Sequence, residues 1–331
     1  MIVVAGEALI DLIPTPARDL GVNPGGGPFN TARWLGRLGA DVGFLGSIAA
    51  DPLGQRLRMG LLEAGVALDL VVATELPTTL AVAQLDDVGA ARYSFYTDGT
   101  SSGDVAPEQA LARLPQPLDA FYAGGLALVL EPIATAVTCA VEVARQRDAV
   151  VMVDPNVRPS LIRDRVGYLD RLWGVLAQTD VLKLSVEDVA WLEPGSPPLA
   201  AARGLLERGP RVVLLTDGAR GATVFTTEAV TQVPAVAVDV VDTIGAGDAF
   251  SAGFLSSWLR RGEGNRSPAT VSFPASEGRG AVAHEAVVEA ARFAADVASV
   301  ACAQRGATPP APEAFPARFR KDGGTAAPTA G

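Results

Sequence analysis

Residues 240–259 read VVDTIGAGDAFSAGFLSSWL. An apolar run ends at Asp242, the small residues Gly245, Ala246 and Gly247 follow, and from Asp248 the apolar positions recur at helical spacing. Glycines permit the tight backbone path that such a junction needs. The first turn of a helix carries unpaired N–H groups at the positive end of the helix dipole, so the junction suits an anion, phosphate above all. Asp248 has two readings: a cap of its own helix, or a general base that takes a proton from an attacking hydroxyl while the amides hold a phosphoryl group.

Outward from this junction, short Val/Leu-rich runs alternate with longer amphipathic segments, the pattern of βαβ units and a mostly parallel sheet. Strands are expected at residues 2–5, 42–47, 120–123, 150–153, 181–184 and 212–215, and helices at 30–38, 54–63, 132–147, 167–177 and 199–208. Two stretches depart from this rhythm. Thr79–Tyr96 alternates around a turn at Asp86–Gly89 and reads as a hairpin, as does Gly221–Ala235 around Thr227–Glu228. Residues 261–280 are rich in Gly, Ser and Pro and read as a mobile insertion; after Pro312 periodicity is lost, and residues 313–331 read as a disordered tail.

The 331 residues are 49% hydrophobic and 19% charged, which excludes a disordered binding tail as the main body. A net charge of −10 argues against nucleic acid as a partner. The longest apolar stretch, Phe121–Leu130, is far short of a membrane span, and the opening MIVVAGEAL reads as a buried strand, so no membrane partner and a cytoplasmic location are expected. Cys139 and Cys302 have no CxxC spacing and read as structural; the single histidine, His284, has no second histidine beside it for a zinc site. The two lysines, Lys183 and Lys321, lie outside any GxxxxGK[ST] loop. Phosphate chemistry would rest on backbone amides, arginines or a bound cation.

DTIGAGDAFSAGF resembles the C-terminal signature DTxGAGDxFxxG of the ribokinase-like (pfkB) carbohydrate kinase family. Gly25, Gly26 and Asn30 in NPGGGPFNTARWLGRLGA, followed by VGFLGSIAADPLGQRL, resemble the N-terminal signature in order and spacing. DPNVRP (Asp154–Pro159), LKLSVEDV (Leu182–Val189) and LLTDGARGATVF (Leu214–Phe225) fit between them, so the resemblance covers residues 1–312 and is strongest to fructokinases. It implies a three-layer α/β/α domain with a small β-sheet lid, built here from residues 10–28 and 76–103. It also implies transfer of the γ-phosphoryl group of ATP to a primary hydroxyl of a small sugar, with Mg²⁺ and a monovalent K⁺ as activators and a homodimer formed through the lid.

By the same resemblance Asp248 is the base, and Gly245, Ala246 and Gly247 form the anion hole with it. Asp242 holds the monovalent cation. Asp11, Gly26, Gly27 and Asn30 belong to the sugar pocket, with Arg158 as a cation there. Lys183, Ser185, Thr216, Gly218 and Gly221 belong to the nucleotide side. Competing local readings remain: Asn30 as a helix cap, Asp11 as a solvated strand end, and Gly218 and Gly221 as hairpin punctuation.

The family's NxxE motif reads Ser185-Val186-Glu187-Asp188 here, so Asp188 or Glu187 would serve the Mg²⁺ side through water. Thr97 follows Tyr96 where some acidic-sugar kinases of the family carry an arginine, which argues against 2-keto-3-deoxygluconate; the wording GEALIDLIP, DPNVRP and KLSVEDV is most similar to fructokinases and makes D-fructose the first choice, with 2-keto-3-deoxygluconate, tagatose, ribose and nucleosides as alternatives. A rival from another class is a hydrolase: Gly99-Thr100-Ser101-Ser102-Gly103 satisfies GxSxG, with His284 as the sole base available to it. A catalytically silent sugar-binding relative is a third reading, one that would have no need of a base at the anion hole.

Overall fold

The computed structural model describes residues 1–14, 19–85, 91–264 and 282–315. The chain opens with β1 (Ile2–Ala5), buried at all four positions. β2 (Leu9–Pro14) and β3 (Leu20–Gly25) then leave the main layer. Next come α1 (Gly27–Arg37), β4 (Val42–Leu45), β5 (Ser47–Ala49), α2 (Pro52–Glu63) and β6 (Val72–Thr74). A hairpin of β7 (Leu80–Leu85) and β8 (Ala91–Tyr96) follows; its turn lies outside the described residues.

Helices and strands then alternate: α3 (Pro107–Arg113), β9 (Ala120–Gly124), α4 (Ile133–Gln146), β10 (Val150–Asp154), α5 (Arg165–Leu176) and β11 (Val181–Ser185). After α6 (Val186–Leu192), α7 (Pro198–Gly204) and β12 (Val212–Thr216) the chain forms a second hairpin, β13 (Ala222–Thr226) and β14 (Val230–Val233). Two long helices, α8 (Ala246–Gly264) and α9 (His284–Cys302), complete the fold.

The main sheet has the order β14-β13-β12-β11-β10-β9-β1-β4, parallel from β4 to β12 and antiparallel only at the closing hairpin. Successive side chains point to opposite faces, and this sorts the core into two. Val4, Tyr122 and Met152 pack with Phe29 and Trp34 of α1 and with α8 and α9; Val3, Phe121, Val151 and Val153 pack with α4 and α5. Each large aliphatic or aromatic side chain so buried contributes roughly 1.5–3 kcal/mol relative to exposure.

A separate four-stranded sheet, β3-β2-β7-β8, stands beside the carboxyl ends of the main strands. β2 pairs antiparallel with β3 and parallel with β7. Its back, through Leu12, Val22 and Leu80, packs on the core that includes Leu57 and Leu61 of α2. Along β8, Tyr93 and Phe95 are half-buried, whereas Ser94 and Tyr96 are exposed. The two inward rings stack 6.1 Å apart.

Several boundaries depart from the sequence expectation. α1, α2 and α7 start three, two and one residues earlier than expected because each carries a proline in its first turn, where the missing N–H costs nothing. The single strand expected at 42–47 splits into β4 and β5 at Gly46, where a Cβ would collide with the carbonyl oxygen of Gly6. The helix expected to reach Arg208 ends at Gly204 and tightens into a 3₁₀ turn over Leu205–Arg208. α8 runs to Gly264, so the expected insertion does not begin at 261; the rest of it, residues 265–281, lies outside the described residues. The tail is ordered further than expected: Pro312–Ala314 form a 3₁₀ turn, and buried Phe315 meets Trp34 edge-on at 5.8 Å. Residues 316–331 lie outside the described residues. Cys139 and Cys302 are free and only half-buried. Among the described residues no helix is long and apolar enough to cross a membrane.

Candidate active site

The carboxyl ends of parallel strands collect the loops of an open α/β sheet and are its usual binding edge. Here the loops after β1, β9, β10 and β11 meet the N-termini of α1 and α8 and the inner face of β2 and β8. Between them lies a cavity of about 270 Å³ lined by Asp11, Asn30, Tyr93, Arg158, Lys183 and Asp248, with Gly26, Gly27, Gly245 and Gly247 in its wall.

Asp248, the third residue of α8, is buried, and its Oδ2 accepts the Asn30 side-chain amide at 2.9 Å. The carboxylate therefore bonds across to α1 and not to its own helix, which decides against the capping reading. Burial raises its pKa to about 6, against the lowering effects of the Asn30 hydrogen bond and of Lys183 and Arg158. Among the described residues Asn30 Oδ1, which is buried, has no partner, an acceptor left over beside the cavity. Gly245 has φ +78°, and a Cβ there would stand 2.7 Å from that of Ala307, so the approach to α8 demands glycine. Asp242 fixes this approach: Oδ1 accepts Ile244 N at 3.0 Å and Oδ2 accepts Gly306 N at 2.9 Å.

On the opposite wall, burial and the Asp248 charge push the Asp11 pKa up to about 7, while Arg158 pulls it down. Any Cβ on Gly25 of the neighbouring strand would collide with Asp11 Oδ2. Lys183 is buried, and its Nζ donates to Asp154 Oδ2 at 2.7 Å. Arg158 also reaches a second cavity of about 300 Å³ with Ser185, Glu187 and Trp191. At its edge Ser185 and Asp188 form a reciprocal capping box. Asp188 accepts Ser185 N and Oγ, each at 2.8 Å, on one oxygen and Val157 N at 2.7 Å on the other. Its carboxylate is thus spent on holding the loop after β10, while its neighbour Glu187 is exposed in the same cavity.

Thr216, Gly218 and Gly221 line neither cavity. Thr216 pairs in register with Ser185, and its hydroxyl donates to Leu184 O at 3.1 Å. Gly221 has φ +86°, and a Cβ there would collide with Val233 O, so packing of the second hairpin alone requires it; Gly218 has φ +48° with open space around it.

Besides Tyr93 and Phe95 of β8, two further site residues escaped the sequence reading. Glu7 is buried just past β1, with Oε1 accepting Gly27 N at 3.1 Å and Oε2 accepting Leu126 N at 2.9 Å; burial raises its pKa to about 7. Asn156 lines both cavities with φ +41°, a left-handed conformation that asparagine tolerates better than most. The DPNVRP motif marks the second, but no local signal marks the first.

The hydrolase reading fails on geometry. Ser101 is buried in a 3₁₀ turn with its Oγ accepting Thr79 N at 3.3 Å, whereas His284 bonds Thr226 at 2.9 Å and Thr231 at 2.7 Å on the second hairpin. The expected base is committed elsewhere.

Residues 1–314 match the model of a family described as pfkB family carbohydrate kinase. A fructokinase of Rhizobium leguminosarum bv. trifolii is 36% identical over 264 residues, 78% of this chain and 79% of that protein. The crystal structure of a fructokinase from Xylella fastidiosa with bound ATP superposes with a TM-score of 0.81 at 30% identity, covering 93% of both chains. That of an aminoimidazole riboside kinase from Salmonella enterica has a TM-score of 0.80 at 24% identity over 94% of this chain and 97% of that one, a likeness of fold.

Proposed function

This chain belongs to the pfkB family of carbohydrate kinases and is an ATP-dependent sugar kinase, and we propose that its acceptor is D-fructose, converted to fructose 6-phosphate with Asp248 as general base. The observation that carries the mechanism is the placement of Asp248 at the start of α8, buried, bonded to Asn30 and open to a cavity the size of a monosaccharide. The similarity to fructokinases favours fructose.

In this reading the acceptor hydroxyl lies against Asp248, which takes its proton as the hydroxyl oxygen attacks the γ-phosphorus. The N–H groups of Gly245, Gly247 and Asp248 at the start of α8 would face the transferring group and cost no reorganisation as charge develops, whereas that of Ala246, expected among them, donates to Thr243 O at 3.2 Å. Asp11 and Asn30 supply acceptors for sugar hydroxyls, and Gly26 and Gly27 let the ring approach the backbone. Tyr93 and Phe95 cover it from β8 and exclude water, which would otherwise accept the phosphoryl group. Ser185, Thr216, Gly218 and Gly221 follow the carboxyl edge of β11 and β12, on the nucleotide side.

Mg²⁺ prefers hard oxygen ligands. Glu187 offers a carboxylate with access to the second cavity, and Asp188 fits a supporting role through the Ser185 loop. The ion would neutralise phosphate oxygens. Asp242 with the loop it ties to Gly306 is our candidate for the K⁺ site. We further propose a homodimer through the edge of the small sheet and a cytoplasmic location.

A coupled ADP-release assay with ATP, Mg²⁺ and K⁺ against fructose, tagatose, ribose, 2-keto-3-deoxygluconate and adenosine tests the reading. Turnover concentrated on fructose supports it; turnover on another sugar reassigns the acceptor, and silence on all five overturns it.

A further inference from the structure

Asp11, Ala81 and Phe95 stand side by side across the small sheet, in register from β2 through β7 to β8. Residues opposite one another on neighbouring strands share a face. Strands lie about 4.8 Å apart, so Phe95 belongs to the same wall of the acceptor cavity as Asp11, about 10 Å along it. Phe95 also lines a second space, a cleft of about 830 Å³ between the end of β8, the turn after β9 and α5. Among the described residues it is the one side chain common to both.

A small apolar cluster fills the space between them. Leu9, Ala81 and Leu126 are buried in it, with Tyr93, Phe95, Leu130 and Leu161 packed against them. Leu9, Tyr93 and Leu126 line the acceptor cavity, whereas Leu130 and Leu161 line the cleft. The cluster is therefore a partition, and at Phe95 it is one side chain thick. Leucine and phenylalanine offer a hydroxyl no hydrogen-bond partner, so a polyol forced among them would lose water without compensation.

The cleft beyond the partition is polar. Arg163 Nη2 donates to both carboxylate oxygens of Asp98, at 3.0 and 3.1 Å, and so joins the end of β8 to the loop after β10. Arg171 pairs with Glu131, and Tyr96 presents an exposed ring. Carboxylates accept from hydroxyls, guanidinium groups donate to them, and an aromatic ring covers a sugar's C–H face. The cleft's volume of about 830 Å³ falls within the roughly 300–1,000 Å³ of small-molecule sites. The acceptor cavity, at about 270 Å³, has room for one ring.

We propose that Phe95 sets the length of the acceptor: with Leu126, Leu130 and Leu161 it closes the acceptor cavity against the cleft, so that a free monosaccharide is taken and the same sugar carrying a second ring is refused. The proposal rests on the sugar-kinase reading above. Specificity of this kind is built by exclusion and not by added contacts. The cleft is a ready subsite for the second ring of a disaccharide, shut off by one aromatic side chain.

The test compares fructose with sucrose, in which the fructofuranose ring keeps its 6-hydroxyl and carries a glucose ring at C2. ADP release is followed with ATP and Mg²⁺ on sucrose freed of monosaccharide, and mass spectrometry identifies the phosphorylated disaccharide. The wild-type kcat/KM for sucrose should lie below about one-tenth of that for fructose. In Phe95→Ala the fructose value falls, because the ring also covers the sugar, but the ratio of sucrose to fructose should rise by about tenfold or more. A lid that is merely damaged lowers both acceptors and leaves the ratio in place. A smaller rise, or a wild type that uses sucrose above the one-tenth mark, overturns the proposal.

Leu161→Ala thins the partition from the cleft side, at a residue that does not line the acceptor cavity. Its fructose KM should stay within about threefold of wild type while the same ratio rises. It decides the matter should Phe95→Ala not fold, and an unchanged ratio then overturns the proposal. A wild type that prefers another monosaccharide moves the comparison to that sugar and its O-glycoside. Silence on every monosaccharide counts against the kinase reading itself, so the two failures are distinguishable.

Discussion

The Asn30 amide nitrogen lies 2.9 Å from Asp248 Oδ2, although 218 positions separate the two residues in the chain. The bond ties the helix after the glycine-rich strand to the helix after the anion loop. In the proposed reaction this one side chain would orient the base and offer its buried Oδ1 to the acceptor in the cavity. Replacing Asn30 by Ala removes a hydrogen bond that lowers the Asp248 pKa. The acidic limb of the kcat profile should move to higher pH, and fructose KM should rise by about tenfold, as expected for a lost polar contact. A limb that stays in place would separate the two residues functionally.

Asp248→Asn keeps the shape of the base and removes its proton affinity. Steady-state kinetics should show kcat lowered by roughly 100-fold or more with fructose affinity nearly intact. Titration calorimetry on the same variant checks the second half.

Activity and stability should respond to pH in opposite directions between about 4 and 7. The base must be ionised, so turnover falls as pH drops through about 6. Asp11 has an ordinary pKa of 3.8 and a folded value of about 7, so the folded state holds its proton more tightly. Its contribution to stability is complete below 3.8 and is lost as pH rises through about 7. Glu7 acts with the same sign, between 4.5 and about 7. The ligand-free melting temperature of Asp11→Asn should therefore exceed that of wild type at pH 8 and fall less from pH 5 to pH 8. Identical slopes would show that Asp11 does not titrate in this range.

Gly25→Ala places a methyl group against Asp11 Oδ2. Carboxylates can swing where backbone cannot, so the fold should survive while Asp11 leaves its position. The expected signature is fructose KM raised by about tenfold or more with kcat within about threefold, a loss of uniform binding.

His284 bonds two threonines of the second hairpin and, among the described residues, does not line the cavity. His284→Gln should leave kcat within about twofold and cost about 1–2 kcal/mol of stability, the scale of a lost hydrogen bond. A collapse of activity would reopen the question of its role.

Most of the fold was legible because its signals are local. The parallel strands are short apolar runs, and β1 runs from Ile2 to Ala5 as periodicity predicts. Helix starts fall earlier than expected where Pro28, Pro52 and Pro198 sit in first turns, ahead of the apolar periodicity that marks the helix in the sequence. The anion loop and Asn30 were legible through motif resemblance. Glu7 was not, because its meaning depends on Gly27 N and Leu126 N, which arrive from 20 and 119 residues away. Nor does the text around Asp188 show that its oxygens turn to Val157 and Ser185.

One feature of the sheet bears on how the chain is made. β1 is an interior strand: Ile2 pairs with Val42 on one side and with Ala120 on the other. During synthesis its second edge stays open until β9 has emerged, and closing so long a loop costs entropy before the pairing returns anything. A strand that precedes both of its neighbours in the chain is thus completed late, and its apolar IVVA text is exposed in the interval. Refolding from denaturant should therefore be slow and limited by docking of β9 beside β1, the expected kinetic consequence of placing this strand at the interior of the sheet.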